Sequence, residues 1–261
     1  MMRIAVHIGL VLPLALLLAA PAAASELAPR VVESAPADAH RHRLDALRAR
    51  VLSRLSEPGV AADLYELRDL SAEGGSLERA ADLLYRVAES WRTHPHVRSL
   101  ARRLLADVER HRGRLPRMQA NLAAIGVVTD VSVIGPFPNE NGEGFLERFG
   151  PEEEGDLGRE HEGERHPVRW RAIPGLGRTG TIVLDEAFRT GGEQVVYVLA
   201  EIRSPRAVQA LLFLGTPGPT RAWLSGRAIL SDPDDHPARF DQRVVPLPLR
   251  PGANHLLLKI A

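Results

Sequence analysis

The sequence predicts an α+β protein of two domains, in which N-terminal α-helical repeat-like hairpins precede an antiparallel β-sandwich or jelly roll. Two patterns support this prediction. Apolar residues recur at helical spacing over residues 38–125, and short apolar or alternating runs separated by Gly, Pro or Asp follow over residues 127–261. The change falls within residues 131–145, where Gly135-Pro136 interrupts an apolar run and an Asn- and Gly-rich loop follows.

Composition excludes several classes of function. Lys plus Arg and Asp plus Glu both number 33 in the 261 residues, so no net field would hold the chain on nucleic acid or on an anionic membrane. Cysteine is absent, which removes disulfides, thiolate metal sites and a cysteine nucleophile. We therefore expect no nucleic-acid partner and no cofactor.

The first 24 residues have the pattern of a secretory signal peptide. Arg3 supplies a positive start, residues 4–20 are almost wholly apolar, and Ala22-Ala23-Ala24 precedes Ser25 with the small side chains that signal peptidase requires. An apolar run of about 17 residues is also the lower limit for an uncleaved membrane anchor. We expect cleavage after Ala24, a periplasmic or extracellular destination, and no membrane span in the mature chain. Residues 25–37 are polar and Pro-containing, as is typical of a linker.

Four amphipathic helices are predicted next, followed by a short helical stretch at 118–125. Asp38 is the expected N-cap of the first helix and Ser76 that of the third. Pro58-Gly59 should end the first helix and Gly113 the fourth, while the third should keep its apolar period as far as Trp91. The small residues expected at the helix crossings are Ala80, Ala81, Ala88 and Ala101. This arrangement is similar to helix-turn-helix repeats of the tetratricopeptide kind, which either bind a partner in a groove or only pack.

The second half predicts eight or nine short strands. No helical pattern lies between them, which favours a sandwich or jelly roll. Ser225-Gly226 is expected to be the turn of the clearest hairpin, and Tyr197 and Trp223 are expected to be core residues. The predicted strands lie at 127–134, 168–170, 181–184, 195–202, 207–214, 221–224, 227–230, 243–249 and 255–260.

Several short motifs in this half resemble a galactose-binding-like β-sandwich module. They are Ile134-Gly135-Pro136-Phe137, Gly142-Glu143-Gly144-Phe145, Gly150-Pro151-Glu152, Val168-Arg169-Trp170 and Trp223-Leu224-Ser225-Gly226. The resemblance implies a large secreted or periplasmic bacterial protein in which this chain is the front part, with a transglutaminase-like domain downstream. Two departures argue against direct binding of sugar or calcium. The family's Asp-rich loop is replaced here by Thr216-Pro217-Gly218-Pro219-Thr220, and its turn Asn is replaced by Ser225.

Few residues are candidates for a site, and no catalytic residue or metal site is predicted. Trp170, between Arg169 and Arg171, is the candidate for a ligand-facing aromatic ring. Asp232, Asp234 and Asp235 are the other candidate ligand-binding residues, because clustered carboxylates suit a hard cation, although a polar turn explains them equally simply. Glutamates at 152–154 and 160–164 are expected to form a solvated loop.

The expected function is that of an exported, non-catalytic binding or scaffolding module with a protein or glycan partner. One alternative is the N-terminal portion of a periplasmic transglutaminase-like cysteine peptidase or amidase, whose catalytic domain would lie beyond residue 261. Another alternative is a free-standing carbohydrate-binding protein. The ligand and the oligomeric state are not predicted.

Overall fold

The chain folds into two units, one helical and one built from β-sheets. The helical unit spans residues 12–121, and the sheet unit combines residues 1–11 with residues 122–261. The predicted cleavage site, the linker before Ala37 and the expected N-cap Ser76 lie outside the described residues. The computed structural model describes residues 3–10, 37–74, 77–153, 157–173, 178–188, 194–236 and 241–261.

Five helices longer than one turn lie in the first half of the described chain, as the apolar period predicts. Among the described helices, none combines the length and the apolar character needed to cross a membrane. The helices are α1 (Ala37–Ser53), α2 (Val60–Gly74), α3 (Leu77–Glu89), α4 (Pro95–His111) and α5 (Leu115–Ala124).

The helix ends differ from the sequence prediction in three places. α1 includes Asp38 and ends at Ser53, so Asp38 is not the N-cap and the helix stops before Pro58-Gly59. α3 ends at Glu89, two residues before Trp91. The stop of α4 is as predicted, because Gly113 follows the C-cap Arg112 in the left-handed conformation with φ of 71°.

The core of the helical unit is apolar and draws on α1 to α4. α1 packs on α2, α3 packs on α4, and α2 contacts both α3 and α4. The four alanines expected at the crossings are all buried, which lets the helix backbones approach closely. Val51, Leu64 and Leu105 are completely buried in this cluster.

Two larger sheets and one small hairpin make up the sheet unit, and every pairing within them is antiparallel. The six-stranded sheet has the order β10-β9-β12-β7-β2-β5 and the four-stranded sheet the order β11-β8-β1-β6, while β3 pairs with β4 alone. The strands are β1 (Arg3–Leu10), β2 (Ser132–Pro138), β3 (Glu160–Glu162), β4 (Pro167–Arg169), β5 (Arg171–Ala172), β6 (Ile182–Val183), β7 (Gln194–Ser204), β8 (Val208–Gly215), β9 (Thr220–Leu224), β10 (Arg227–Asp232), β11 (Arg243–Leu249) and β12 (Gly252–Ile260).

One apolar cluster lies between the two larger sheets, which is the arrangement of a β-sandwich. Val198 and Leu258 enter it from the six-stranded sheet, and Leu212 and Leu247 enter it from the four-stranded sheet. All four are at most 2% exposed. We call this cluster the inner core. The α+β fold class, with helices first and antiparallel sheets after them, is confirmed.

Local turn chemistry was predictable, but strand continuity was less so. Ser225 and Gly226 form the β9–β10 turn with φ of 47° and 82°, as the hairpin prediction requires. Gly135-Pro136 does not end a strand, because β2 continues through it and absorbs it in a register shift against β7 between Ile134 and Phe137. The strand predicted at 181–184 is shortened, since a one-turn helix, α6 (Leu184–Ala187), follows β6.

The strand β1 is the one large departure from the sequence prediction. Residues assigned to a removable leader pair with β8 on one side and with β6 on the other. No local signal separates an apolar leader from an apolar strand, because both are short runs of the same side chains.

Candidate functional site

Four neighbouring strands place a row of side chains on the outer face of the six-stranded sheet. Lys259 on β12 lies opposite Arg221 on β9 and Tyr197 on β7, and Tyr197 lies opposite Ile134 on β2. Side chains alternate between the faces of a strand, and the neighbours Leu258 and Val198 point into the inner core. The row therefore faces away from that core and brings two cations and a phenol together.

A cover segment, residues 139–153, carries the carboxylate that this row receives. It contains two 3-10 helices, Glu140–Phe145 and Gly150–Glu152. The Lys259 Nζ lies 2.8 Å from Glu152 Oε1 and also donates to the carbonyl oxygen of Glu147. The Tyr197 hydroxyl donates to the same Glu152 oxygen at 2.6 Å. The Lys259 side chain is 0% exposed and that of Glu152 is 5% exposed, so the ion pair is buried.

Aromatic rings close around the ion pair. The Phe137 ring lies 4.9 Å from that of Phe149 and 5.5 Å from that of Tyr197, and the Tyr197 contact is edge-on. The Lys259 ammonium sits 5.1 Å from the Phe149 ring centroid and 5.6 Å from that of Tyr197. We call Phe137, Phe149, Glu152, Tyr197 and Lys259 the outer cluster.

Arg221 extends the row on β9, next to Lys259. Its guanidinium lies 5.4 Å from the Phe145 ring of the cover segment and 5.8 Å from the Trp223 ring on the same strand. Trp223 is only half-buried, so the prediction that it belongs to the core is wrong, whereas Tyr197 is completely buried as predicted. The two rings occupy the same face, and only the one beneath the cover segment is enclosed.

Burial shifts the pKa values of the two side chains that donate hydrogen bonds to Glu152. It raises the pKa of the Tyr197 hydroxyl, and the hydrogen bond to Glu152 acts in the same direction. It lowers the pKa of Lys259, and the hydrogen bond to Glu152 opposes that change. The enclosed ammonium therefore ties the cover segment to the sheet through Glu147 and Glu152.

Trp170, the predicted ligand-facing ring, lies between β4 and β5 at the margin of this region. Its ring is half-buried and packs against the apolar group that contains Ile134 and Phe137. The indole Nε1 is buried and makes no hydrogen bond within the part of the chain that the structure describes. The structure thus places Trp170 in packing contact with the outer face of the sheet.

The acidic residues after β10 lie close together, but their carboxylates are not equivalent. Ligand atoms of Asp232, Asp234 and His236 lie within 4.8 Å of one another. Asp232, however, forms a short ion pair with Arg243 on β11, and that guanidinium also donates to Thr216 Oγ1 at 2.8 Å. β10 and β11 belong to different sheets, so this pair links the two layers of the sandwich.

Asp235 lies outside that group of ligand atoms and is exposed. Arg243 was not predicted as a partner of Asp232, because the two are 11 residues apart and lie on strands of different sheets. The first aspartate of this turn, Asp232, is therefore engaged in a structural ion pair with Arg243.

Part of the glutamate-rich segment forms a hairpin. Glu160 and Glu162 lie at the two ends of β3, which pairs with β4, and Glu160 accepts from Arg169 at 2.7 Å. Both glutamates are exposed, as expected of a solvated segment, but the same expectation is wrong for Glu152, whose side chain is buried against Lys259. His161, between them, is buried with its ring against Gly150 of the cover segment.

The helical unit presents one residue that sequence reasoning placed wrongly. Trp91 is 86% exposed, because α3 ends at Glu89 and the ring falls in the α3–α4 turn. Arg98 Nη2 donates to the carbonyl oxygens of Ser90, Trp91 and Thr93 at 3.0, 3.2 and 3.2 Å. His94 caps α4 by accepting from the His96 backbone N–H. A fixed turn therefore holds a large aromatic ring in solvent.

Comparisons with protein-family models, with curated proteins and with solved structures find no match to the chain. The class that the fold and these sites define is a two-unit α+β protein with a helical unit and an antiparallel sandwich.

Proposed function

We infer that the protein is an exported, non-catalytic binding or scaffolding module, and that its helical unit binds another protein through Trp91. The observation that carries this proposal is the ring itself, 86% exposed on a turn whose carbonyls are tied to Arg98. Export is supported by the leader pattern of residues 1–24.

An exposed indole on a fixed turn suits protein recognition for two reasons. Tryptophan is enriched among the residues that dominate binding energy, because a large ring loses much water-exposed apolar area for few rotatable bonds. A turn whose backbone is already held by Arg98 also has less conformational entropy to lose on binding. At this exposed position the Trp91 ring adds little to the packing of the fold, which distinguishes it from the buried aromatic rings of the sheet unit.

The sheet unit supports the scaffolding part of the proposal. Its outer cluster is filled by its own side chains, with Lys259 fully buried against Glu152. The inner core is likewise occupied by apolar residues of both sheets. A sandwich packed on both faces of its larger sheet is suited to act as a rigid support.

The test is site-specific photo-crosslinking in the native cell envelope. A benzophenone amino acid at position 91 is expected to give a discrete protein adduct, and the same probe at Leu115, which is 52% exposed in the same unit, should not. The crosslinked protein is identified by mass spectrometry and purified. It is then titrated against the native chain and against the Trp91→Ala variant. Trp91→Ala is expected to weaken binding by about tenfold or more while leaving the melting temperature unchanged.

The proposal is wrong if position 91 gives no adduct, or if Trp91→Ala binds the identified protein as tightly as the native chain. Export is checked separately by N-terminal sequencing of the protein recovered from the cell envelope, with Ser25 as the expected first residue. A parallel glycan panel separates the alternatives, because binding that depends on Trp170 and not on Trp91 would favour carbohydrate recognition.

A further inference from the structure

The strand β1 fills an interior position of the four-stranded sheet. Ala5 to Leu10 pair with Gly215 to Ala210 of β8, and Arg3 and Ile4 pair with Val183 and Ile182 of β6. Six residues of β1 are therefore paired with β8, and its first two residues are paired with β6. In the strand order of the sheet, β1 stands between β8 and β6.

The edge of β8 that β1 covers belongs to a core strand. Leu212 and Leu214 on β8 are both 0% exposed, and β11 pairs with the opposite edge of β8 along seven residues, Arg243 to Leu249. Without β1, roughly three N–H and three C=O groups along Ala210 to Gly215 would lose their partners. An uncovered edge of this kind is a template for pairing with another chain.

The residues that form β1 are also the residues that carry the leader pattern. If signal peptidase cuts after Ala24, as the proposed function requires, the exported chain lacks the strand that its sandwich is shaped to hold. The four-stranded sheet is then complete before cleavage. After cleavage it is complete only if another polypeptide supplies the missing strand.

We propose that the position between β8 and β6 is an acceptor site, and that in the exported chain it binds an extended apolar strand of another protein, antiparallel to β8 and in the register of β1. This proposal rests on the export part of the proposed function. Recognition would be by strand addition, in which backbone hydrogen bonds supply affinity and the alternating side chains supply specificity.

The present occupant defines the partner's chemistry. Arg-Ile-Ala-Val-His-Ile-Gly-Leu has no acidic residue, and its one charged residue, Arg3, stands at the end. A partner segment of about eight residues, apolar and free of proline in its middle, meets the same requirement.

The experiment uses the full chain with a specific protease site inserted between Ala24 and Ser25. The folded protein is purified and nicked, so that β1 is held without a covalent link. We expect the fragment of residues 1–24 to co-elute with the rest of the chain on size exclusion. An excess of labelled peptide with the sequence of residues 3–10 should then displace it at a stoichiometry of one.

Hydrogen exchange locates the binding. Amides within Ala210–Gly215 should exchange about tenfold faster or more once the fragment is removed, and should be protected again when the peptide is added. A control peptide with Val6→Pro and His7→Pro should not restore protection. Successive N–H groups point to opposite edges of a strand, so one of these two changes removes a donor toward β8 whichever edge faces it.

Three results would overturn the acceptor site. They are immediate loss of the fragment with no rebinding, unchanged protection of Ala210–Gly215 after its loss, or peptide protection that appears on the edge strand β10 (Arg227–Asp232) instead. N-terminal sequencing of the exported chain reports separately on cleavage. A retained leader would refute the cleavage step, and the exchange of the nicked strand would still decide whether the site accepts a peptide.

Discussion

The two faces of the six-stranded sheet are built on different principles, although the same strands supply both. On β12, Leu258 points into the inner core and is 2% exposed, while the next residue, Lys259, points outward and is 0% exposed. One face is filled by apolar volume from two sheets. The other face is filled by aromatic rings around a buried ion pair that holds a cover segment.

The difference teaches what each kind of packing can specify. An apolar core accepts changes that conserve volume, since hydrophobic contact has no direction. The outer cluster needs the Lys259 Nζ, the Tyr197 hydroxyl and a Glu152 oxygen in one place, at 2.8 and 2.6 Å. A buried ion pair adds little net stability, but breaking it is costly, so it fixes where the cover segment lies.

The largest effect is expected from Lys259→Met. The substitution keeps the stem volume but leaves Glu152 buried without its cation, which should destabilise the sheet unit by about 3–5 kcal/mol. Urea unfolding, followed by hydrogen exchange of the β12 amides, measures the sheet unit by itself. The double variant Lys259→Met with Glu152→Leu should recover most of the loss. A single-variant loss below about 1 kcal/mol would show that the pair is not enclosed.

The next largest effect compares two neighbouring leucines of β12. Leu258→Ala removes a side chain that is 2% exposed in the inner core and should cost about 2–4 kcal/mol. Leu257→Ala removes a half-buried side chain at the margin of the outer face and should cost about 1 kcal/mol. The same urea experiment ranks them. Equal losses would contradict the assignment of the two faces.

A smaller effect is expected from Tyr197→Phe. The ring stays in place, but Glu152 loses the hydroxyl that donates at 2.6 Å, so we expect a loss of about 1–2 kcal/mol. Because Tyr197 and Lys259 share one carboxylate oxygen, the losses from the two substitutions should not add in a double-mutant cycle. Strict additivity would mean that the three groups do not act as one cluster.

The smallest effect concerns the polar link between the two sheets. Burial would raise the pKa of the Asp232 carboxyl, but the hydrogen bond and charge of Arg243 outweigh it, and the pKa lies below the ordinary value of 3.8. The unfolded chain therefore takes up this proton first as the pH falls, and the contribution is present above about pH 4 and lost as the pH falls through the lowered pKa.

Asp232→Asn should consequently reduce stability at pH 7 by about 1 kcal/mol and flatten the decline below pH 4. Melting temperatures measured between pH 7 and pH 2 check this. The exposed neighbour Asp235→Asn serves as the matched control and should follow the native curve. If both variants decline alike, the link through Arg243 carries no stability.

The order of the elements was readable from the sequence because it depends on local patterns. Helical period, strand alternation and the Ser225-Gly226 turn are properties of neighbouring residues, and the structure has elements at nearly all of the predicted places. Burial of Tyr197 was also readable, since the apolar run around it predicts a core strand.

Only the tertiary structure decided which side chains meet. Lys259 and Glu152 are 107 residues apart, and no local pattern pairs a lysine at the end of an apolar strand with a glutamate in an acidic loop. Trp91 was misplaced for a related reason, because a helix that stops two residues early turns a core position into an exposed one. Periodicity predicts which face a side chain would occupy, but not where an element ends or what lies against it.

The same limit applies to the first residues. The sequence by itself determined that residues 4–20 are almost wholly apolar and preceded by a positive charge, the pattern that predicts a leader. That residues 3–10 can also complete a sheet was decided by the unpaired edges of β8 and β6, which lie far along the chain. A strand is defined by its hydrogen bonds to neighbouring strands. Only the positions of β8 and β6 in the folded chain could therefore show that residues 3–10 form a strand.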